Sequence, residues 1–266
     1  MGVLRFTILG CGSSGGVPRL GGHWGDCDPS NPRNRRRRCS LLVERVVEAG
    51  TTRVLVDTSP DLREQLLDAG VGNLDGVVWT HAHADHVHGI DDLRMIVFNQ
   101  RARLDVWADG PTQAALDARF GYVFETPEGS SYPPILNRNP LDGPATITGA
   151  GGAITFNPVP VGHGDMDALG LRIGDLVYMP DINTIPPESE WLISGLKVWI
   201  LDALRRTPHP SHLSLPEALA WFERMTPERG VLTNMHVDLD WETVNAETPD
   251  HVTPAWDGMV IELADD

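Results

Sequence analysis

The sequence predicts an α/β protein, and three observations lead to this prediction. Short runs rich in Val, Ile and Leu recur along the 266 residues. Several lack the alternation of a half-buried strand, as expected for strands that are buried on both faces. Helical patterns of about ten residues separate them, and no repeat, low-complexity stretch or linker divides the chain. Residues 1–266 are therefore predicted to form a single domain.

The strand-like runs are expected to build the core. They are predicted at residues 3–9, 39–47, 52–57, 75–80, 104–108, 153–161, 168–173, 176–179, 197–202, 229–233 and 258–263. Stretches 10–38 and 125–144 contain many Gly, Pro or Arg residues and are predicted to be irregular functional loops.

The predicted helices have readable ends. Ser59 and Pro60 supply an N-cap and a first-turn proline for a helix that stops before Gly70. A second helix is predicted from Pro111 to about Gly121. A capping box at Ser214 predicts a third helix, which runs to about residue 225.

Composition narrows the function classes. The chain has 21 Lys and Arg against 37 Asp and Glu, a formal net charge of −16, so no long nucleic acid is expected as a partner. A small phosphate ester remains compatible with this charge. No apolar run is long enough for a membrane span, and the first residues lack the pattern of a signal peptide. With three Cys and no disulfide framework, we expect a cytoplasmic protein.

A glycine motif at Gly10–Gly15, GCGSSG, follows the first predicted strand. A dinucleotide-binding turn needs a helix directly after it, because the pyrophosphate lies on the helix N-terminus. The following residues, GVPRLGGHWG, cannot form a regular helix. We therefore expect a glycine loop and no nicotinamide cofactor.

A dense group of metal-ligating residue types occupies residues 81–86, His-Ala-His-Ala-Asp-His, directly after a buried strand. In an extended turn, His81 and His83 point the same way and can chelate one ion. Asp85 and His86 then open the next helix and can face a second ion. Nitrogen and oxygen ligands without thiolate suit Zn²⁺, Mn²⁺ or Fe²⁺.

This motif resembles the HxHxDH signature of the metallo-β-lactamase superfamily, and the resemblance extends over essentially the whole chain. It implies a four-layer αββα sandwich with two mixed sheets. It also implies two divalent metal ions, Zn²⁺ or Mn²⁺ with Fe possible. Metal 1 would bind His81, His83 and His163, metal 2 would bind Asp85, His86 and His236, and Asp181 would bridge the ions. Asp57, at the end of TRVLVD, would support the metal loop.

Three features favour the phosphodiesterase branch of this superfamily. Asp181 is a bridging carboxylate rather than the Cys of true β-lactamases. His212 precedes Leu-Ser-Leu-Pro-Glu, which resembles the segment that carries a leaving-group histidine in tRNase Z. The opening GCGSSGGVPR resembles PhnP-type cyclic phosphodiesterases. The expected substrate is a small phosphodiester or nucleotide.

The expected mechanism follows from paired-metal chemistry. Two cations hold a hydroxide and clamp the phosphoryl oxygens. An alkoxide is a poor leaving group, so a general acid is useful. His212 is the candidate acid, with Asp85 orienting it, and His209 is its competitor. The alternatives are a metal-dependent carboxyl-ester, thioester or lactone hydrolase, and a metal-binding accessory protein without turnover.

Other features allow more than one interpretation. The arginines between Arg33 and Arg38 either grip a phosphate or pair with acidic residues. Cys27 and Cys39 either are inert thiols or hold a structural metal with His23. His88 is expected to pack or to support the site rather than bind metal. The 125–144 insertion is a lid, a base-stacking surface or the contact of a homodimer.

Overall fold

The structure is a computed structural model that describes residues 2–265. Within this range it contains fourteen strands and six α-helices. The strands are β1 (Gly2–Gly10), β2 (Ser40–Val47), β3 (Gly50–Val56), β4 (Gly76–Val78), β5 (Leu104–Ala108), β6 (Leu136–Pro140), β7 (Ala145–Gly149), β8 (Gly152–His163), β9 (Met166–Ile173), β10 (Leu176–Met179), β11 (Val198–Asp202), β12 (Arg229–Thr233), β13 (Val252–Pro254) and β14 (Met259–Asp265). The helices are α1 (Leu62–Asp68), α2 (Ala84–Val87), α3 (Leu93–Gln100), α4 (Gly110–Phe120), α5 (Leu215–Met225) and α6 (Trp241–Glu247).

The strands form two mixed sheets of seven strands each, as predicted. The first has the order β14-β1-β2-β3-β4-β5-β6, and the second has the order β13-β12-β11-β10-β9-β8-β7. In the first sheet, β2 and β3 are antiparallel while β3 to β6 are parallel. In the second sheet, β8 to β10 are antiparallel while β10 to β13 are parallel.

The described chain divides into two compact units. The first contains residues 2–9, 40–155 and 260–265, and the second contains residues 10–39 and 156–259. That the two units together form a single domain stays a prediction.

The first unit has an apolar core between its parallel strands and its helices. Val77 on β4 and Val106 on β5 are fully buried, as are Leu62 of α1 and Leu93 of α3. Val77 lies in register with Val106. Every residue of β4 is buried, and its sequence is accordingly apolar throughout, whereas β5 alternates and exposes Asp105.

In the second unit, every residue of β10 and β11 is buried. Trp199 on β11 packs edge-on against Phe222 of α5, with ring centroids 5.6 Å apart. Glu217 accepts a hydrogen bond from the Ser214 backbone N–H at 2.8 Å, so the predicted capping box opens α5.

All eleven predicted strands are present, and the differences have local causes. β6, β7, β13 and α6 were not predicted. β6 lies inside the proline-rich 125–144 stretch, where it pairs with β5 through a register of Leu104 with Leu136. The predicted N-cap of α1 is wrong: the helix begins at Leu62, and Ser59 Oγ accepts from the Asp61 N–H at 3.1 Å one turn earlier.

The glycine loop after β1 does not open a helix. Its residues make isolated bridges, such as Gly12 with Arg38 and Gly12 with Met235. A single 3₁₀ turn, Pro32–Asn34, precedes β2. Within residues 2–265, no helix combines the length and the apolar character needed to cross a bilayer.

Candidate metal centre

The first unit gathers four of the predicted ligands at the end of β4. His81 and His83 lie on the extended segment that leaves the strand, with ring centroids 4.8 Å apart. α2 begins at Ala84 and carries Asp85 and His86, and the rings of His81 and His86 are 4.2 Å apart. His86 Nε2 lies 3.6 Å from Asp85 Oδ2. The predicted arrangement, an extended turn followed by a helix, is therefore present.

Asp57 holds this loop in place, as the resemblance implied. Asp57 follows β3 and Thr80 follows the adjacent parallel strand β4, so the two meet at one sheet edge. Asp57 Oδ1 accepts from the Thr80 N–H at 2.8 Å, and Oδ2 accepts from Thr80 Oγ1 at 2.8 Å. His86 Nδ1 donates to Asp57 Oδ2 at 2.8 Å. All these groups are buried.

The backbone around α2 is fixed from the neighbouring strand end. The Thr58 N–H donates to the His86 carbonyl at 2.8 Å, and the Gly89 N–H donates to the Thr58 carbonyl at 2.9 Å. A Cβ at Gly89 would lie 2.0 Å from the Ser59 carbonyl oxygen. Glycine is therefore required at this close approach.

The second unit places its polar residues at the carboxyl ends of three neighbouring parallel strands. Asp181 follows β10, Asp202 ends β11, and Asn234 and His236 follow β12. Carboxyl ends of adjacent parallel strands share one edge of a sheet, which brings these side chains together. Asn234 Nδ2 donates to Asp181 Oδ1 at 3.0 Å and to Asp202 Oδ1 at 3.2 Å.

His163, at the end of β8, lies next to Asp181. His163 Nε2 is 3.5 Å from Asp181 Oδ2, and both side chains are buried. His163 Nδ1 donates to the Ser211 carbonyl at 2.6 Å. This bond ties β8 to the segment that carries His212, whose ring centroid is 4.6 Å from that of His163.

His212 is held by a carboxylate that the sequence analysis did not select. Its Nδ1 donates to Asp202 Oδ2 at 2.8 Å, and the same oxygen accepts from the Ile182 N–H at 3.1 Å. Burial raises the pKa of Asp202 to about 7, although the hydrogen bond from His212 acts in the opposite direction. The observed orienting partner of His212 Nδ1 is therefore Asp202, and the predicted orienting role of Asp85 stays a prediction.

His236, the predicted ligand that follows β12, contacts one acidic and one basic side chain. Its Nδ1 lies 3.2 Å from Asp238 Oδ1, and its Nε2 contacts the Arg19 guanidinium. The fully buried Arg36 fixes the backbone of this segment by donating to the carbonyls of His236 at 3.3 Å and Leu239 at 2.7 Å.

The histidine tautomers test whether these residues suit a metal. A carboxylate and a carbonyl only accept, so the His86 and His163 Nδ1 atoms must carry their protons. Thr80 Oγ1 gives its proton to Asp57, and His81 Nδ1 therefore donates to Thr80 Oγ1 at 3.0 Å. In each case Nε2 keeps its lone pair. This is the arrangement of metal-binding imidazoles, and the donor set of nitrogen and carboxylate oxygen fits divalent ions.

The structure also describes the surroundings of His209, His88, Cys27 and Cys39, for which the sequence left alternative roles open. His209 Nδ1 contacts Ser211 N at 3.3 Å, and burial lowers the His209 pKa, which disfavours the protonated form an acid needs. His88 is exposed and packs edge-on against Phe120 at 5.6 Å. Cys27 and Cys39 are buried, and their thiols donate hydrogen bonds to the carbonyls of Val237 and Gly12, respectively.

Three residues of the arginine run contact other groups of the protein. The Arg33 guanidinium lies 4.0 Å from the Trp241 ring centroid, and Arg37 Nε is 3.1 Å from Asp257 Oδ2. Arg36 makes the carbonyl contacts described above. Asp202 and Asn234 were missed by sequence reasoning. Asp202 closes the buried run VWILD, the same strand-then-Asp pattern that marked Asp57.

Comparison with known proteins adds a family and several relatives. A family model described as the beta-lactamase superfamily domain matches residues 52–235. An octanoyltransferase of Porphyromonas gingivalis is 32% identical over 263 residues, which are 96% of this chain and 51% of that protein. A ribonuclease Z of a Bradyrhizobium species is 33% identical over 145 residues, which are 54% of this chain and 46% of that protein. The chain thus spans about half the length of the curated relatives it matches.

Among solved structures, a similar protein matches nearly the whole chain. It is a diphosphatase from the PhnP family, with 34% sequence identity and a TM-score of 0.86. The match covers 99% of this chain and 98% of that one.

Proposed function

Because this chain belongs to the beta-lactamase superfamily, we propose that it is a metal-dependent hydrolase of small phosphodiesters, with a cyclic nucleotide or ribose phosphodiester as substrate. Its metals would bind the seven predicted ligands: His81, His83, Asp85, His86, His163, Asp181 and His236. When bound, two divalent ions supply Lewis acidity and a nucleophile at neutral pH.

The chain's own residues divide the remaining work. Asp57 and the Ser211 carbonyl fix the imidazole protons of His86 and His163 on Nδ1, so Nε2 is the atom through which each would bind metal. Asn234 orients the carboxylate of Asp181. For His236 to bind an ion through Nε2, the Arg19 guanidinium has to leave that atom. Arg19 would then be available to an anionic substrate.

The observation that carries the phosphodiester proposal is the pairing of His212 with Asp202. The 2.8 Å bond fixes the proton of Nδ1 and leaves Nε2 as the atom that gives up or takes a proton. The His212 ring lies 4.6 Å from His163, a predicted ligand. An alkoxide leaving group needs such an acid, whereas thioester and lactone leaving groups are easier.

The relatives support this proposal to different degrees. The PhnP-family diphosphatase and the ribonuclease Z bear names of phosphorus chemistry. The octanoyltransferase name belongs to a protein of which this chain matches 51%, so the name does not assign transferase activity to the matched part. Its name nevertheless makes acyl thioester hydrolysis the second candidate to test.

The decisive experiment is a substrate panel on protein loaded with Zn²⁺ or Mn²⁺. The panel contains bis-p-nitrophenyl phosphate, a 2′,3′-cyclic nucleotide, an octanoyl thioester and a lactone, with Asp181→Ala as the negative control. We expect turnover of the phosphodiesters and its loss in the control, together with loss of bound metal. Turnover of the thioester or lactone alone would overturn the phosphodiester proposal. Full metal content without any turnover would favour the accessory binding protein.

A further inference from the structure

A cavity of about 640 Å³ lies beside the metal loop of the first unit. It is lined by Ala82, His83, Ala84, His88, Arg119 and Phe120. Its volume falls in the range of roughly 300–1,000 Å³ typical of small-molecule sites. Because His83 is a predicted metal ligand and also forms part of the wall, a ligand in this cavity lies next to the reacting phosphate of the proposed activity.

One wall of this cavity is aromatic and partly exposed. Phe120 ends α4, and its half-buried ring contacts the exposed ring of His88. The two ring planes are nearly perpendicular, at 82°. The methyl groups of Ala82 and Ala84 leave room beside these rings. A planar heterocycle gains stacking energy on such a surface, and every nucleobase has a suitable face.

Arg119 fixes this wall relative to the metal loop. Its Nη1 atom donates to the Ala82 carbonyl at 2.5 Å. The end of α4 is therefore tied to the residue that precedes His83, and Phe120 follows Arg119 directly. A wall held in this way needs little rearrangement when a ligand binds, which preserves binding energy.

We propose that this cavity binds the nucleobase of a nucleotide substrate, with the base stacked on Phe120 beside His83. The inference rests on the proposed phosphodiesterase function and narrows its substrate class to nucleotides. A base-less sugar phosphodiester would leave the cavity empty and would be the poorer substrate.

The test compares adenosine 2′,3′-cyclic phosphate with the 2,3-cyclic phosphate of methyl riboside, which has no base. We expect Phe120→Ala to lower the ratio of kcat/KM for the nucleotide to kcat/KM for the riboside by about 5- to 150-fold, the usual range for loss of base stacking on an aromatic ring. Phe120→Trp, which keeps an aromatic face, should restore the ratio. Phe98→Ala removes an exposed aromatic ring outside the cavity and should leave the ratio at the wild-type value.

A binding measurement separates this inference from the proposed function. Saturation-transfer NMR with adenosine on metal-free protein should detect binding in the wild type and in Phe120→Trp, and none in Phe120→Ala. If the wild type hydrolyses neither phosphodiester but binds adenosine through Phe120, the proposed function fails and the subsite stands. An unchanged ratio in a folded Phe120→Ala variant, or no adenosine binding in the wild type, would overturn the subsite.

Discussion

His86 Nδ1 lies 2.8 Å from Asp57 Oδ2, and both side chains are fully buried. The carboxylate thereby determines which imidazole nitrogen of His86 carries the proton. It also accepts from Thr80 N and Oγ1, so one side chain orients both ends of the metal loop. The first prediction concerns this relationship.

We expect Asp57→Asn to weaken metal binding by about 10–100-fold, the usual effect of removing an outer hydrogen-bond partner of a metal-binding histidine. The amide has one acceptor oxygen where the carboxylate has two. Isothermal titration of metal-free protein with Zn²⁺ measures the change. Wild-type affinity in this variant would show that Asp57 only shapes the backbone.

Asparagine is the appropriate replacement because of the backbone at this position. Asp57 has φ +60°, a left-handed conformation that Asn tolerates better than most residues. Asp57→Ala would combine loss of the hydrogen bonds with backbone strain. An Asn variant that keeps the wild-type unfolding transition isolates the effect on metal.

The second prediction concerns the buried Arg36. Its guanidinium donates to the carbonyls of His236 and Leu239 and to Asn34 Oδ1. Arg36→Met would remove the guanidinium donor of the Leu239 carbonyl and one of two donors each to the His236 carbonyl and Asn34 Oδ1. We therefore expect a loss of unfolding free energy on the order of 3 kcal/mol. Urea denaturation measures it.

The neighbouring Arg35 supplies the matched control for Arg36. Its side chain is exposed, and Arg35→Met should change the unfolding free energy by no more than about 0.5 kcal/mol. Equal effects of the two variants would mean that net charge, and not the carbonyl contacts of Arg36, is responsible.

The third prediction is a pH dependence of stability from Asp257. Burial raises the pKa of Asp257 to about 6, against the lowering effect of Arg37. A carboxyl whose pKa is higher in the folded state stabilises the fold most at low pH. This contribution is lost as pH rises from about 4 to about 6. The stability cost of Asp257→Asn should therefore be larger at pH 4 than at pH 7, by roughly 2 kcal/mol.

Asp240 gives the opposite sign and serves as the contrast. Hydrogen bonds from Thr243, Asp28 and Asn34 lower the Asp240 pKa to about 2, although partial burial acts in the other direction. Its contribution is present above the ordinary Asp pKa and is lost as pH falls toward 2. We therefore expect opposite slopes when the stability cost of each variant, Asp257→Asn and Asp240→Asn, is plotted against pH. Unfolding measurements at several pH values give this cost. Parallel slopes would contradict the assignment to Asp257.

The sequence predicted individual residues of the candidate site better than the contacts between them. The ligand-type residues from His81 to His86 could be chosen because they directly follow a buried strand, and Asp57 could be chosen because of the resemblance to the superfamily. Asp202 and Asn234 could not, because their significance comes from three parallel strands ending at one edge. That adjacency is a property of strand order, which joins Asp202 to His212 ten residues away and to Asn234 thirty-two residues away. β6 was not predicted for a related reason. The proline residues around LNRNP indicate a loop, but pairing with β5 makes this segment a strand.

The last prediction tests the leaving-group role of His212. Nitrophenolate departs without protonation, whereas a ribose alkoxide does not. We expect His212→Ala to reduce hydrolysis of a 2′,3′-cyclic nucleotide by about 10²-fold or more while barely affecting bis-p-nitrophenyl phosphate. Asp202→Asn should reproduce part of this selective loss, because it removes the carboxylate that holds His212 Nδ1. Metal content should stay at the wild-type level in both variants, since neither residue is a predicted ligand. Equal losses on the two substrates would instead mean that His212 supports the fold of the Ser211 segment or positions the substrate.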